Sequence, residues 1–130
     1  SNQAGNWNDP AIWDISGTPA TVPSTTPTAE YDVVIEHAVE IPSSMGAAEA
    51  KSITCPDGTL GEVQLRQNNT LTVTEDISLR KSDNGMIIYN QNGSFPTVIF
   101  GGTYRTGKKT TIVKRLLDDK WTLVSSGLDI

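Results

Sequence analysis

Residues 70–79, with the sequence TLTVTEDISL, decide which fold this chain can adopt. Leu71 and Val73 alternate with threonines at positions 70, 72 and 74, which is the period-two pattern of a strand with one buried face. A second apolar stretch begins at Ile77, so only a tight corner separates the two. A strand, a tight corner and another strand in so few residues predict short, stacked β-strands rather than helices.

Short segments of the same type recur along most of the chain. They are rich in β-branched residues and are separated by turn-forming stretches such as residues 56–58 (PDG) and 90–93 (NQNG). One segment, residues 44–51 (SMGAAEAK), has a helical composition, but it is too short to form an isolated helix. We therefore predict an all-β fold with strands at residues 33–35, 39–41, 52–54, 63–65, 71–73, 77–79, 86–89, 97–100, 111–113 and 121–124.

The length of these strands favours a solenoid over a sandwich. Many of them span only three residues, whereas antiparallel sandwiches use longer strands and two-residue hairpins. In a parallel β-helix each coil has three short faces, and each face points one or two apolar side chains inward. We predict one β-solenoid domain over residues 1–130, with a cap and a Thr/Pro-rich loop at 1–31 and coils at 32–130. A β-sandwich remains the alternative.

The first part of the sequence carries two further patterns. Residues 5–13 have the form GxWxDPxxW, and after a proline-containing loop residues 32–41 have the form DVVIxxxVxI. Together with the rhythm of residues 50–77 and 111–125, they resemble the N-terminal coils of secreted bacterial right-handed parallel β-helix surface proteins. The opening is also similar to that of G8 domains. The resemblance implies a right-handed β-helix that is an extracellular module of a larger secreted or cell-surface protein.

Two of the three tryptophans, Trp7 and Trp13, lie close together in this opening. Two roles are open to them, a platform for a ligand or a plug that covers the end of the core. The exposed apolar end of a solenoid must be covered to prevent end-to-end association. We therefore predict that both tryptophans belong to an N-terminal aromatic cap.

Composition narrows the range of partners. The net charge is -5, with nine acidic residues against one basic residue in 1–65 and nine basic against six acidic residues in 66–130. This acidic balance argues against nucleic acid as the main partner. No apolar run approaches the ~18 residues that cross a bilayer, so we expect no membrane insertion. The single cysteine, Cys55, excludes an internal disulfide and a multi-cysteine zinc site.

The sequence offers little catalytic chemistry. It contains no recognisable Ser/His/Asp set, phosphate-binding loop or metal-ligand spacing, and most acidic residues fall in predicted corners. Asp9, Asp32 and Asp57 would bind a structural calcium ion only if their loops converged, so we predict no cofactor and no metal. We expect a non-catalytic protein. The alternatives are an N-terminal fragment of a polysaccharide lyase or hydrolase, and a purely structural capping or spacer segment of an adhesin.

Sugar binding is the function that the remaining motifs favour. Exposed aromatic rings stack on pyranose faces, while neighbouring Arg, Lys and Asn side chains bind hydroxyls or uronate carboxylates. Tyr104, Arg105 and Lys108 fall in one predicted loop, and Tyr89 and Asn90 fall in another. We predict that these residues bind a polysaccharide, with acidic polysaccharides included, or act in adhesion. Solvated turns are the alternative for both segments.

Overall fold

Short strands make up almost all of the regular structure of the protein. The computed structural model describes residues 1–14, 26–79, 85–91, 95–105, 111–117 and 120–124. The strands are β1 (Gly5–Asn6), β2 (Asp32–Val34), β3 (Ala38–Ile41), β4 (Ala47–Ala50), β5 (Ser52–Thr54), β6 (Glu62–Leu65), β7 (Thr70–Val73), β8 (Ile77–Ser78), β9 (Met86–Gln91), β10 (Thr97–Phe100), β11 (Tyr104–Arg105), β12 (Thr111–Leu117) and β13 (Lys120–Val124). A 3₁₀ turn covers Pro10–Ile12. Each predicted strand segment overlaps one of these strands, and the all-β prediction is confirmed.

The strands pair into three sheets that the chain visits in a fixed order. Sheet 1 has the order β1-β3-β6-β9-β12-β13, sheet 2 has β4-β7-β10, and sheet 3 has β2-β5-β8-β11. One passage through the three sheets is called a coil below. Within the described residues every pairing is parallel except that of β12 with β13. This arrangement fits a β-solenoid and does not fit the antiparallel sandwich that was the alternative.

Inward side chains align from coil to coil and build the core between the three sheets. Parallel pairing brings apolar positions of successive coils into register, so each buried row continues through the stack. The rows are Val39, Val63 and Met86 in sheet 1, Ala48, Leu71 and Val98 in sheet 2, and Val33, Ile53, Ile77 and Tyr104 in sheet 3. All of these side chains belong to the core cluster or pack against it.

Strand β4 replaces the segment that had a helical composition. Ala48 and Ala50 are buried and lie opposite Leu71 and Val73 of β7. Alanine favours a helix on its own, but so short a helix is unstable in isolation. Pairing with β7 instead satisfies the backbone and buries both methyl groups, so the tertiary contacts override the local preference.

The N-terminal segment packs against the core through Trp7, Ile12 and Trp13. Trp7 and Trp13 are buried, with exposed fractions of 0% and 5%, and their rings meet edge to face at 5.3 Å between centroids. The indole Nε1 of Trp13 donates to the carbonyl oxygen of Trp7 at 2.8 Å. Strand β1 pairs with β3, and Asp9 accepts a hydrogen bond at the start of the 3₁₀ turn. Residues 15–25 of the predicted Thr/Pro-rich loop lie outside the described residues.

Candidate functional site

Tyr104 is a core residue, so the prediction of an exposed ring at this position is wrong. It lies in β11, and its side chain is 5% exposed. Its Oη donates to Sδ of Met86 at 3.7 Å, and its ring lies 5.4 Å from that of Phe100. The reason is the register between β11 and β8. Tyr104 lies opposite Ile77, whose side chain points into the core, so the Tyr104 side chain points inward as well.

Of the other predicted contact residues, Arg105 and Asn90 lie in strands of two different sheets. Arg105 is exposed and pairs with Ser78 in sheet 3. Asn90 lies in strand β9, where its backbone pairs with that of Arg115 in sheet 1. Lys108 lies outside the described residues. Tyr104 and Arg105 therefore lie in a strand of sheet 3, whereas Tyr89 and Asn90 lie in a strand of sheet 1, and Arg105 has the exposure that sugar binding requires.

Tyr89 is also buried, but on the outer face of sheet 1. Met86 belongs to the core cluster and Ile88 packs against it, so Tyr89 falls on the opposite side of strand β9. Its exposed fraction is 7%, and the guanidinium carbon of Arg66 lies 3.8 Å from the ring centroid. Burial raises the pKa of the phenol, and the positive charge of Arg66 opposes that rise. A ring covered in this way cannot stack on a sugar, which corrects the prediction for Tyr89.

The residues around this ring form what we call the Arg66 cluster, namely Glu40, Glu62, Gln64, Arg66 and Tyr89. Nε of Arg66 donates to Oε1 of Glu40 at 2.5 Å, and both side chains are about one third exposed, at 29% and 34%. Nε2 of Gln64 donates to Oε1 of Glu62 at 3.1 Å. Side chains alternate between the two faces of β3 and β6. Glu40, Glu62 and Gln64 therefore point outward, because the core contains Val39, Ile41, Val63 and Leu65.

Asn69 fixes the corner that follows the Arg66 cluster. Its side-chain Nδ2 donates to the carbonyl oxygens of Pro42 at 2.9 Å, Arg66 at 3.1 Å and Ile41 at 3.3 Å. The residue before it, Asn68, has a φ of 63°, which is the left-handed conformation that asparagine tolerates best among residues other than glycine. One amide therefore joins two successive coils where the chain leaves sheet 1.

Phe95 is the exposed aromatic side chain that the sequence interpretation missed. It is 59% exposed and lies two residues before Thr97, whose N–H donates to the carbonyl oxygen of Asn69 at 2.9 Å. Phe95 therefore sits at the same corner as Asn69, one coil further along. The sequence did offer a signal for an exposed ring. Phe95 precedes Pro96 and belongs to no alternating apolar pattern, so no core position is expected for it.

Two of the three acidic residues considered for calcium, Asp9 and Asp32, accept hydrogen bonds within the protein. Asp9 accepts from the N–H of Ala11, and Asp32 accepts from the hydroxyl of Ser52 at 2.6 Å. Within the described residues, no three His, Cys, Asp or Glu side chains are grouped so that they could hold a metal ion. The same part of the chain contains no helix with the length and apolar character needed to cross a membrane.

Comparison of the chain with protein-family models, curated proteins and solved structures finds no match. Function must therefore be argued from the outer surface of the coils. On that surface the described residues offer an exposed ring at the Asn69 corner, an ion pair in the Arg66 cluster and the exposed Arg105.

Proposed function

We propose that the chain is a non-catalytic, extracellular polysaccharide-binding module of a secreted or cell-surface protein, folded as a right-handed parallel β-helix. The observation that carries this proposal is the exposed ring of Phe95, which lies two residues before Thr97, whose N–H donates to the main-chain carbonyl oxygen of Asn69. The likeness of the GxWxDPxxW opening to secreted β-helix proteins supports the right-handed winding and the extracellular location.

An exposed phenylalanine on the outer surface suits a sugar ring. A flat aromatic face gains free energy by covering the apolar face of a pyranose. The outer surface of stacked coils is also long and open. Such a surface suits an extended polymer better than a small molecule, which is usually enclosed in a cavity.

Affinity electrophoresis against a panel of neutral and acidic polysaccharides tests the proposal. The protein should be retarded by at least one polymer, and Phe95→Ala should abolish most of the retardation. Leu60→Ala is the matched control, because Leu60 is a 74% exposed apolar side chain at another corner. If no polymer retards the protein, or if Phe95→Ala and Leu60→Ala behave alike, the proposal is wrong.

The non-catalytic part of the proposal has its own test. A lyase acting on a uronate polymer produces an unsaturated sugar that absorbs ultraviolet light, and a hydrolase produces new reducing ends. Incubation of the protein with each polymer that retards it should give neither product. Release of either product would support the alternative of an enzyme fragment.

A further inference from the structure

The ion pair of the Arg66 cluster is held firmly in place on the outer face of sheet 1. Glu40 binds Nε of Arg66, and the ring of Tyr89 supports the face of the guanidinium at 3.8 Å. The supporting ring is itself buried. A guanidinium fixed by a carboxylate and a ring has already lost most of its conformational freedom, so it can bind a ligand at a lower entropic cost.

The pair also presents unused hydrogen-bonding groups. Within the described residues the Nη groups of Arg66 have no acceptor, and Oε2 of Glu40 has no donor. A fixed donor therefore lies beside a fixed acceptor on a surface that is about one third exposed. A sugar hydroxyl can donate and accept at once, so two neighbouring hydroxyls satisfy both groups. A carboxylate can only accept, and it leaves the acceptor unsatisfied.

The charges of the cluster also favour a neutral ligand over an anionic one. Arg66 carries one positive charge, whereas Glu40 and Glu62 carry two negative charges, and the buried Tyr89 phenol is neutral at pH 7. The described side chains of the Arg66 cluster thus have no surplus positive charge for an anionic polymer, and the chain as a whole has a net charge of -5.

We propose that the Arg66 cluster binds the hydroxyls of a neutral polysaccharide and discriminates against polyuronates, an inference that rests on the proposed function. It changes the expectation from the sequence, in which acidic polysaccharides were included because basic residues concentrate in the second half of the chain. Arg66, the basic residue of the cluster, is already paired with Glu40, so its charge is less available to attract a polyanion.

A matched pair of polymers isolates the effect of ligand charge. Polygalacturonate and its fully methyl-esterified form share one backbone and differ in the ionised carboxylates. Affinity electrophoresis at low ionic strength should give a Kd for the ester at least tenfold lower than for the acid. Equal or tighter binding of the acid, with some polymer bound, overturns this inference and leaves the proposed function intact. No retardation by any polymer overturns both.

Variants locate the discrimination in the cluster. Arg66→Gln should raise the Kd for the ester about tenfold, as expected for loss of a hydrogen bond to a charged group. Lys51→Gln removes the same charge elsewhere and should leave the Kd unchanged. Far-UV circular dichroism checks folding, and Arg66→Lys provides a second variant that keeps the charge but loses the planar fork. An unchanged Kd in a folded Arg66→Gln or Arg66→Lys protein contradicts the inference.

Discussion

The two tryptophans of the cap allow a direct test of how the N-terminal end is stabilised. Trp13→Phe and Trp7→Phe remove the same atoms from one buried pair, yet their indole groups differ in hydrogen bonding. Nε1 of Trp13 donates to the Trp7 carbonyl at 2.8 Å, whereas Nε1 of Trp7 is buried without a partner among the described residues. Trp13→Phe loses that bond and leaves a buried carbonyl unpaired. Trp7→Phe instead removes an unsatisfied donor.

The expected difference follows from the usual free energies of these groups. A buried hydrogen bond contributes about 1 kcal/mol net, and a buried unpaired polar group costs about 1–3 kcal/mol. Both variants lose similar apolar contact, so that part largely cancels in the comparison. We therefore expect Trp13→Phe to lower the free energy of unfolding by about 2 kcal/mol more than Trp7→Phe does.

Urea denaturation followed by far-UV circular dichroism measures this difference without relying on tryptophan fluorescence. With a denaturant dependence of about 1–3 kcal/mol per molar urea, the midpoint of Trp13→Phe should lie roughly 1 M below that of Trp7→Phe. Leu60→Ala, at an exposed position, controls for general effects of substitution. If Trp7→Phe lowers the free energy of unfolding as much as Trp13→Phe or more, the hydrogen bond from Trp13 to the Trp7 carbonyl does not stabilise the cap.

Three further predictions concern the corners and the Arg66 cluster. Asn69→Ala should cost about 2–3 kcal/mol in urea denaturation, because main-chain carbonyls of two coils lose their donor. Gly61→Ala should cost about 3 kcal/mol, since its Cβ would collide with a main-chain oxygen of the neighbouring coil, whereas Gly46→Ala, with φ 78° and open space, should cost about 1 kcal/mol. In a spectrophotometric titration the Tyr89 phenol should ionise above its ordinary pKa, and Arg66→Gln should raise that pKa further. The neutral Tyr89 phenol stabilises the folded state, and this contribution is complete below about pH 10 and is lost as the pH rises through the folded-state pKa. A phenol pKa that is not raised contradicts this prediction.

The strands could be predicted from the sequence because each needs only a local pattern. Val63 and Leu65 alternate with polar residues, as do Leu71 and Val73. In the structure these apolar residues occupy the buried face of their strands. Strand β4 was not predicted, because Ala47–Ala50 has no β-branched residue and forms a strand only through its pairing with β7. Local preference and tertiary pairing disagree there, and pairing decides.

The candidate site was harder to predict because it depends on register between coils. Whether Tyr104 faces inward is decided by its alignment with Ile77, and no local pattern fixes that alignment. The neighbours of Tyr89 are likewise set by the coil below it, which brings Arg66 over the ring. Phe95 was overlooked for a different reason, since a single aromatic residue in a polar turn gives no periodic signal. Among the candidates whose side chains the structure describes, Arg105 retains the predicted exposure, whereas Tyr89 and Tyr104 do not.

The inward rows leave the corners free to change in length. The step along sheet 2 is 23 residues from Ala48 to Leu71 but 27 from Leu71 to Val98, although all three side chains stay aligned. The additional residues lie in the segments that connect the members of this row, because Ala48, Leu71 and Val98 themselves remain aligned. Insertions at such corners cost little stability, since the entropy of a closed loop grows slowly with its length. The longer step contains Phe95, so this protein could acquire or exchange a recognition surface by insertion there while its core remained as it is.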